Sequence, residues 1–284
     1  MPELPEVENV KNKLTPALLG KRLSGLEVRL ERIFENGEDL PLPVGQTFRA
    51  VHRLGKYLVF ELDRAALIVH LGMTGQLLLG DNDLAAKHHR VIFKLASGKN
   101  LTFRDIRTFG RVILTSLGKW KTHPRIHKLG LDPIAGAAPT LENIPSRFLR
   151  SERNMKTMLL EQGFLAGVGN IYADEILHAT HIHPLRKAKS LKPGDWEKVF
   201  RYTVLILRHA IASSGTTFSD YRKPDGSRGK FAKRLHVYGR EGEPCHTCGS
   251  RIQKIRVAGR GTAFCASCQT KSGSLKPKTV KRAA

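Results

Sequence analysis

Four cysteines fall in one short window as two CxxC pairs, Cys245-x2-Cys248 and Cys265-x2-Cys268, and no other feature narrows the fold as far. Each pair offers two thiolates from one tight turn. Two such turns sixteen residues apart close a tetrahedral four-sulfur cage on a β-hairpin ribbon. Protein fills all four ligand positions, so one structural Zn2+ is expected, not a catalytic metal. An isolated CxxC would leave a redox role open; the paired arrangement argues against it. The clustering also argues against a scattered disulfide framework. Arg251, Lys254, Arg256 and Arg260 lie between the pairs. On a hairpin they form a rod of positive charge suited to phosphate or a minor groove.

That local charge belongs to a larger excess. The chain carries 48 Lys+Arg against 25 Asp+Glu, a net charge of +23 over 284 residues. Residues 227–284 hold 14 basic and 2 acidic residues, so about half of the excess sits in the last fifth. A polyanionic partner follows, nucleic acid first; on charge alone a ribosome-associated basic protein competes. No apolar run approaches the length of a membrane span, and no signal-peptide core precedes the first charges. A cytoplasmic location is therefore expected.

The opening hexapeptide, Met1-Pro2-Glu3-Leu4-Pro5-Glu6, carries its own chemistry. Removal of Met1 before a small second residue leaves a secondary amine with a pKa near ~8. A fraction of it is neutral and nucleophilic at physiological pH, and attack on an aldehyde-like carbon gives an iminium without further proton loss. Glu3 and Glu6 stand within one helical turn as candidate acid/base groups. The bland alternative is that proline and acidic residues simply open a helix well.

Spacing predicts a helix over residues 3–19, where Leu4, Val7, Val10 and Leu14 recur at 3–4 intervals and Gly20 supplies the stop. Short β-like runs follow at 22–29, 47–54, 57–62, 67–71, 91–95, 101–103 and 112–115, separated by turn signals. Such spacing indicates a sandwich or barrel. A Pro/Gly/Ala-rich stretch then places a domain boundary near residue 130. Helical spacing returns over 155–162, 171–180 and 196–212. Between the first two helices, Gly163, Gly167 and Gly169 break the pattern, and Asn170 is read as the next N-cap. Close helix pairs meet DNA and glycine-flanked helix starts hold phosphate; a plain αα corner explains the glycines equally well.

Two further motifs leave both readings open. Lys56 follows a glycine turn into an apolar strand, aimed into a cleft or merely solvated. Met73 and the Arg107–Phe109 pair sit in Gly-flanked turns, as wedges for a base stack or as core packing with a surface ion pair.

Together these motifs resemble the formamidopyrimidine-DNA glycosylase family. The resemblance runs from Pro2-Glu3-Leu4-Pro5-Glu6-Val7-Glu8, through Leu165-Ala166-Gly167-Val168-Gly169-Asn170-Ile171-Tyr172-Ala173-Asp174-Glu175, to the segment from Val237 to Gln269. It implies an α+β multidomain fold: an N-terminal β-sandwich with a catalytic N-terminal helix (1–130), a helix-two-turn-helix domain (131–226), a zinc ribbon (227–270) and a basic disordered tail (271–284). It implies a bifunctional DNA glycosylase/AP lyase of base excision repair, a monomer acting on damaged double-stranded DNA. Oxidised purines such as 8-oxoguanine and formamidopyrimidines are the expected lesions. By resemblance, Pro2 attacks C1′, Glu3 is the acid/base group, Glu6 supports it, and Lys56 contacts phosphate and assists. His88 contacts the strand. Met73, Arg107 and Phe109 fill the gap left by the flipped nucleotide, and Asn170 and Arg260 grip phosphates. The loop 217–223 corresponds to an element closing over the extruded base. Leu4 favours the purine-directed branch. Ile106, Thr108 and Glu161 depart from the usual pattern, leaving the lyase chemistry intact but not fine lesion preference.

Overall fold

The computed structural model describes residues 1–81, 85–136, 138–216 and 231–270. The expected closing loop, 217–223, and the basic tail lie outside them. The chain forms two compact units, Met1–Leu129 with Ala210–Ala232, and Gly130–His209 with Lys233–Ala284.

The first unit opens with helix α1 (Leu4–Leu18). Its apolar stripe of Val7, Val10, Leu14 and Leu18 is fully buried, and Gly20 leaves the helix at a φ of 74°. That left-handed conformation is cheap only without a Cβ. Among the described residues nine strands follow: β1 (Leu23–Val28), β2 (Phe34–Glu35), β3 (Ala50–Leu54), β4 (Tyr57–Glu61), β5 (Ala65–His70), β6 (Gln76–Gly80), β7 (His89–Leu95), β8 (Asn100–Arg104) and β9 (Arg111–Ser116). They make a four-stranded sheet, β1-β7-β8-β6, and a five-stranded sheet, β2-β9-β5-β4-β3. Of the sandwich and the barrel that the short, closely spaced runs allow, this is the sandwich. Pairing is antiparallel throughout except between β2 and β9.

Alternation along β4 explains the five-stranded sheet's position. Leu58 and Phe60 point into the main core with α1, while Val59 points away to a second cluster with Ala66, Ile68, Ile113, Trp120 and Ile126. Both faces are thus covered, and β4 and β5 read as nearly continuous apolar runs because neither side meets water. A 3-10 turn (Leu117–Thr122) and the short helix α2 (Pro124–His127) supply part of that second cover. Strand β6 was not expected: only Leu77, Leu78 and Leu79 stand between flanking glycines, a run too short to separate from a turn.

The second unit holds α3 (Ser146–Leu149), α4 (Met155–Leu160), α5 (Asn170–Ala179), most of the long helix α6 (Pro193–Ala212), and the hairpin β10 (Gln253–Val257) and β11 (Arg260–Phe264). The β10–β11 turn is Ala258-Gly259, both at positive φ (49° and 73°), the two-residue geometry that matches strand twist. Among the described residues no helix is long and apolar enough to cross a membrane.

Candidate functional site

In the first unit, the start of α1 is locked. Pro2 is buried and Met1 exposed. Glu3 is the N-cap and forms a reciprocal capping box with Glu6. The Glu6 carboxylate accepts the Glu3 N–H at 2.9 Å with one oxygen and the Thr216 N–H at 2.7 Å with the other. Glu6 therefore joins the helix start to the segment that precedes residue 217. Gly215 stands at a φ of 75° against this carboxylate, and a Cβ there would meet Glu6 Oε1 at 2.9 Å. One turn along α1, Glu8 receives Arg53 Nε from β3 at 2.5 Å, and Arg53 is almost wholly buried. That ion pair fixes the helix against the β3–β4 hairpin.

Gly55 and Lys56 form the two-residue turn of that hairpin, Gly55 at a φ of 54°. Lys56 is 7% exposed, which rejects the solvated-turn reading. His70, at the end of β5, lies in its field. Burial first, then Lys56, Arg125 and Arg111, push the His70 imidazole down to about 4. The neutral ring accepts the Gly72 N–H at Nδ1, 3.2 Å, and packs on Tyr57 with centroids 4.7 Å apart.

The Met73 and Arg107–Phe109 turns meet around a carboxylate that sequence reasoning passed over. Asp105 is fully buried; it accepts the Thr74 hydroxyl at 2.5 Å and the Gly110 N–H at 2.8 Å. Thr74 Oγ1 in turn accepts the Arg107 N–H at 3.0 Å. The turns approach so closely that a Cβ on Gly72 would meet Gly110 N at 2.6 Å. The braced scaffold pushes bulky side chains outward: Met73 is 40% exposed, Ile106 41% and Phe109 53%, with the Arg107 guanidinium 5.0 Å from the Phe109 ring centroid. Those exposures exclude core packing and form the apolar, cation-tipped projection that the wedge reading requires. A carboxylate inside a Gly-flanked turn, Arg104-Asp105…Gly110, was the signal available in the sequence. His88, at a φ of 72°, completes the edge; its carbonyl accepts the Asp105 N–H and its Nδ1 stands 3.0 Å from Arg90.

In the second unit, Asn170 is not the N-cap. Gly169 takes that place in extended conformation, and Asn170 is the first helical residue. Its side chain donates to Gly261 O at 3.0 Å, which brings it next to Arg260 at the exposed start of β11. A buried ion pair stands behind it. Lys156 Nζ reaches Asp174 Oδ1 at 2.6 Å and Asn170 O at 2.9 Å, and Asp174 Oδ2 accepts Ala263 N–H at 2.9 Å. Burial pushes the Asp174 carboxyl up to about 6 against the pull of Lys156. Three elements, α4, α5 and β11, thus share one pair. Glu175 likewise accepts three successive amides, those of His236, Val237 and Tyr238, at 2.8, 2.9 and 2.9 Å.

The thiols of Cys245, Cys248, Cys265 and Cys268 lie within 4.8 Å of one another. A tetrahedral zinc with bonds of about 2.3 Å needs sulfurs about 3.8 Å apart. The Cys245–Cys268 and Cys248–Cys265 separations, 3.9 and 3.4 Å, fit it. Gln269 fastens the second knuckle, accepting from Cys265 N–H and donating to Ile182 O. The four cysteines are a structural zinc site.

A two-sheet sandwich led by a capped helix, a glycine-cornered helix pair and a four-cysteine hairpin each have counterparts among known proteins. Residues 1–112 match the formamidopyrimidine-DNA glycosylase N-terminal domain, 129–222 its H2TH domain, and 242–271 the zinc finger found in FPG and IleRS. The chain is 38% identical over 273 residues to the formamidopyrimidine-DNA glycosylase of Listeria innocua, covering 95% of this chain and all of that one. It is 38% identical over 272 residues to the one from Streptococcus mutans, covering 95% and 99%. Among solved structures, a mutant Lactococcus lactis FPG bound to Fapy-dG-containing DNA superposes with a TM-score of 0.86 at 36% identity, covering 95% and 100%. The MutM (FPG) protein of Thermus thermophilus gives 0.84 at 38%, covering 94% and 98%. The chain belongs to the formamidopyrimidine-DNA glycosylase family.

Proposed function

We propose that this protein removes oxidised purines from duplex DNA through a covalent Pro2 intermediate and then cuts the strand at the abasic site. What supports this most is the start of α1: a buried Pro2, followed by a Glu3–Glu6 pair held by the capping box. Loss of Met1 leaves a secondary amine at this helix start, of which a fraction is neutral and nucleophilic at physiological pH. The target nucleotide leaves the stack. Pro2 nitrogen bonds to C1′ as the bond from C1′ to the base breaks; the base leaves with that electron pair and takes up the proton that the Pro2 amine gives up. Glu3 protonates the ring oxygen, the ring opens, and C1′ becomes an iminium. That electron sink lets a base take the C2′ proton, breaking the C3′–O bond; a second elimination breaks the C5′–O bond, and hydrolysis frees Pro2. Lys56 steadies the flanking phosphate, with His88, Asn170 and Arg260 on the backbone. Met73, Arg107 and Phe109 occupy the vacated stack, Arg107 facing the unpaired base. The enzyme acts as a monomer in the cytoplasm, on nucleoid DNA.

One solved relative, the wild-type Lactococcus lactis FPG, is bound to DNA containing an oxidised pyrimidine. The test therefore uses both lesions. Borohydride is added to protein with duplexes carrying 8-oxoguanine or an oxidised pyrimidine, and adducts are resolved on denaturing gels. The wild type is expected to trap, faster on the purine, and Pro2→Ala to trap neither. Intact-mass analysis should find Met1 absent from the active protein. Normal cleavage by Pro2→Ala, or by chains retaining Met1, overturns the mechanism; faster pyrimidine cleavage overturns the lesion class alone.

A further inference from the structure

The zinc cage has a neighbour that none of the four ligands requires. His178, on the buried face of α5, places Nε2 3.5 Å from Cys245 Sγ. Both residues are almost wholly buried, at 4% and 3% exposure. The same sulfur accepts the Thr247 backbone N–H at 3.4 Å. A four-thiolate zinc site carries a net charge of about −2, and each N–H aimed at a sulfur withdraws part of it. The backbone donor comes from the knuckle itself, as in any tight CxxC turn. The imidazole comes from a helix 67 residues away in sequence. Its ring is held in place by the stacked ring of His236, 5.7 Å away at 26°, and His236 meets His246 edge-on at 5.6 Å. The histidine stack thus runs from the surface of the ribbon to the buried thiolate.

We propose that His178 is an outer-shell hydrogen-bond donor to the Cys245 thiolate, positioning that ligand and slowing loss of zinc. A neutral imidazole protonated on Nε2 serves; no change of charge is involved. The bond also makes α5, which carries Asn170 at its first turn, part of the metal site's support. An aromatic or aliphatic side chain would fill the same volume and donate nothing.

The experiment uses the full chain, loaded with zinc or with cobalt(II) as a spectroscopic substitute. His178→Phe and His178→Met remove the donor, and His178→Gln restores an N–H near the sulfur. Zinc transfer to a chromogenic chelator is followed at constant pH, after circular dichroism has shown each variant folded. The two donor-free variants are expected to release zinc about 10-fold faster or more, in line with outer-shell effects on affinity. His178→Gln should stay close to the wild type. In the cobalt forms, the d–d bands should keep their tetrahedral positions while the thiolate-to-cobalt charge-transfer band moves to lower energy without the donor. Wild-type release rates and unmoved charge-transfer bands in both donor-free variants would overturn the proposal. Fast release from a variant whose charge-transfer band stays in place would do the same, because it would mark a packing defect instead of a lost bond.

Discussion

His70 shows how one side chain converts its surroundings into a pH response. Its folded pKa is depressed to about 4, by burial first and then by three cations, while an unfolded chain leaves it near ~6.5. Below ~6.5 the unfolded state takes up a proton that the native ring refuses, so stability is lost as pH falls from ~6.5 to about 4, with no further loss below. The proton would also cost the Gly72 N–H its acceptor on Nδ1, at the turn that carries Met73. Thermal unfolding of the wild type between pH 7.5 and 4.5 should show the first unit's transition falling with acid. His70→Asn should flatten that slope although it lowers the starting stability. Parallel slopes in the two proteins would show that another group governs the response.

At the scale of elements, the Lys156–Asp174 pair is the joint that holds α4, α5 and β11 together. An ammonium with no solvent exposure needs its counter-charge, and removing one partner of a buried pair costs about 3–5 kcal/mol. Asp174→Asn and Lys156→Met should each destabilise the second unit by that order in denaturant unfolding, whereas Lys156→Met with Asp174→Leu should recover part of the loss, the remainder being the Ala263 N–H left without its acceptor. An additive double variant would mean that the two residues act separately. None of this joint was legible in the sequence, because it depends on contacts between segments far apart in the chain. The same reason explains one misreading, at Asn170, and one residue passed over, Glu175. Asn170 looks like an N-cap locally, yet its side chain is drawn to Gly261, and Gly169 caps instead. Glu175 looks like an ordinary helical acid, yet it holds three amides of residues 236–238. What could be read was what local chemistry dictates by itself: the CxxC spacing, the apolar period of α1, and the turn that sets Lys56. Met73 and Phe109 were visible as candidates. Only the Asp105–Thr74 brace decided that they project outward.

For the molecule as a whole, the +23 charge predicts how binding responds to salt. Each phosphate neutralised by the protein releases counterions, and the logarithm of affinity falls by about 0.9 per decade of salt for each contact. Of the four proposed backbone contacts, Lys56 and Arg260 are the two permanent cations; if both neutralise phosphate they give a slope of about −2, and any contact made by the ribbon's exposed arginines would steepen it. Arg256 and Lys254 are not equivalent contributors. Lys254 is bonded to Glu241 at 2.5 Å, so part of its charge is already compensated within the ribbon, while Arg256 is exposed on the same strand. Titrations of an abasic duplex by fluorescence anisotropy from 50 to 300 mM salt should give this slope or a steeper one in the wild type. Arg260→Ala should reduce it by about 1, and Arg256→Ala should reduce it more than Lys254→Ala. A wild-type slope near zero would mean that affinity rests on the lesion pocket, leaving the basic excess to some other partner.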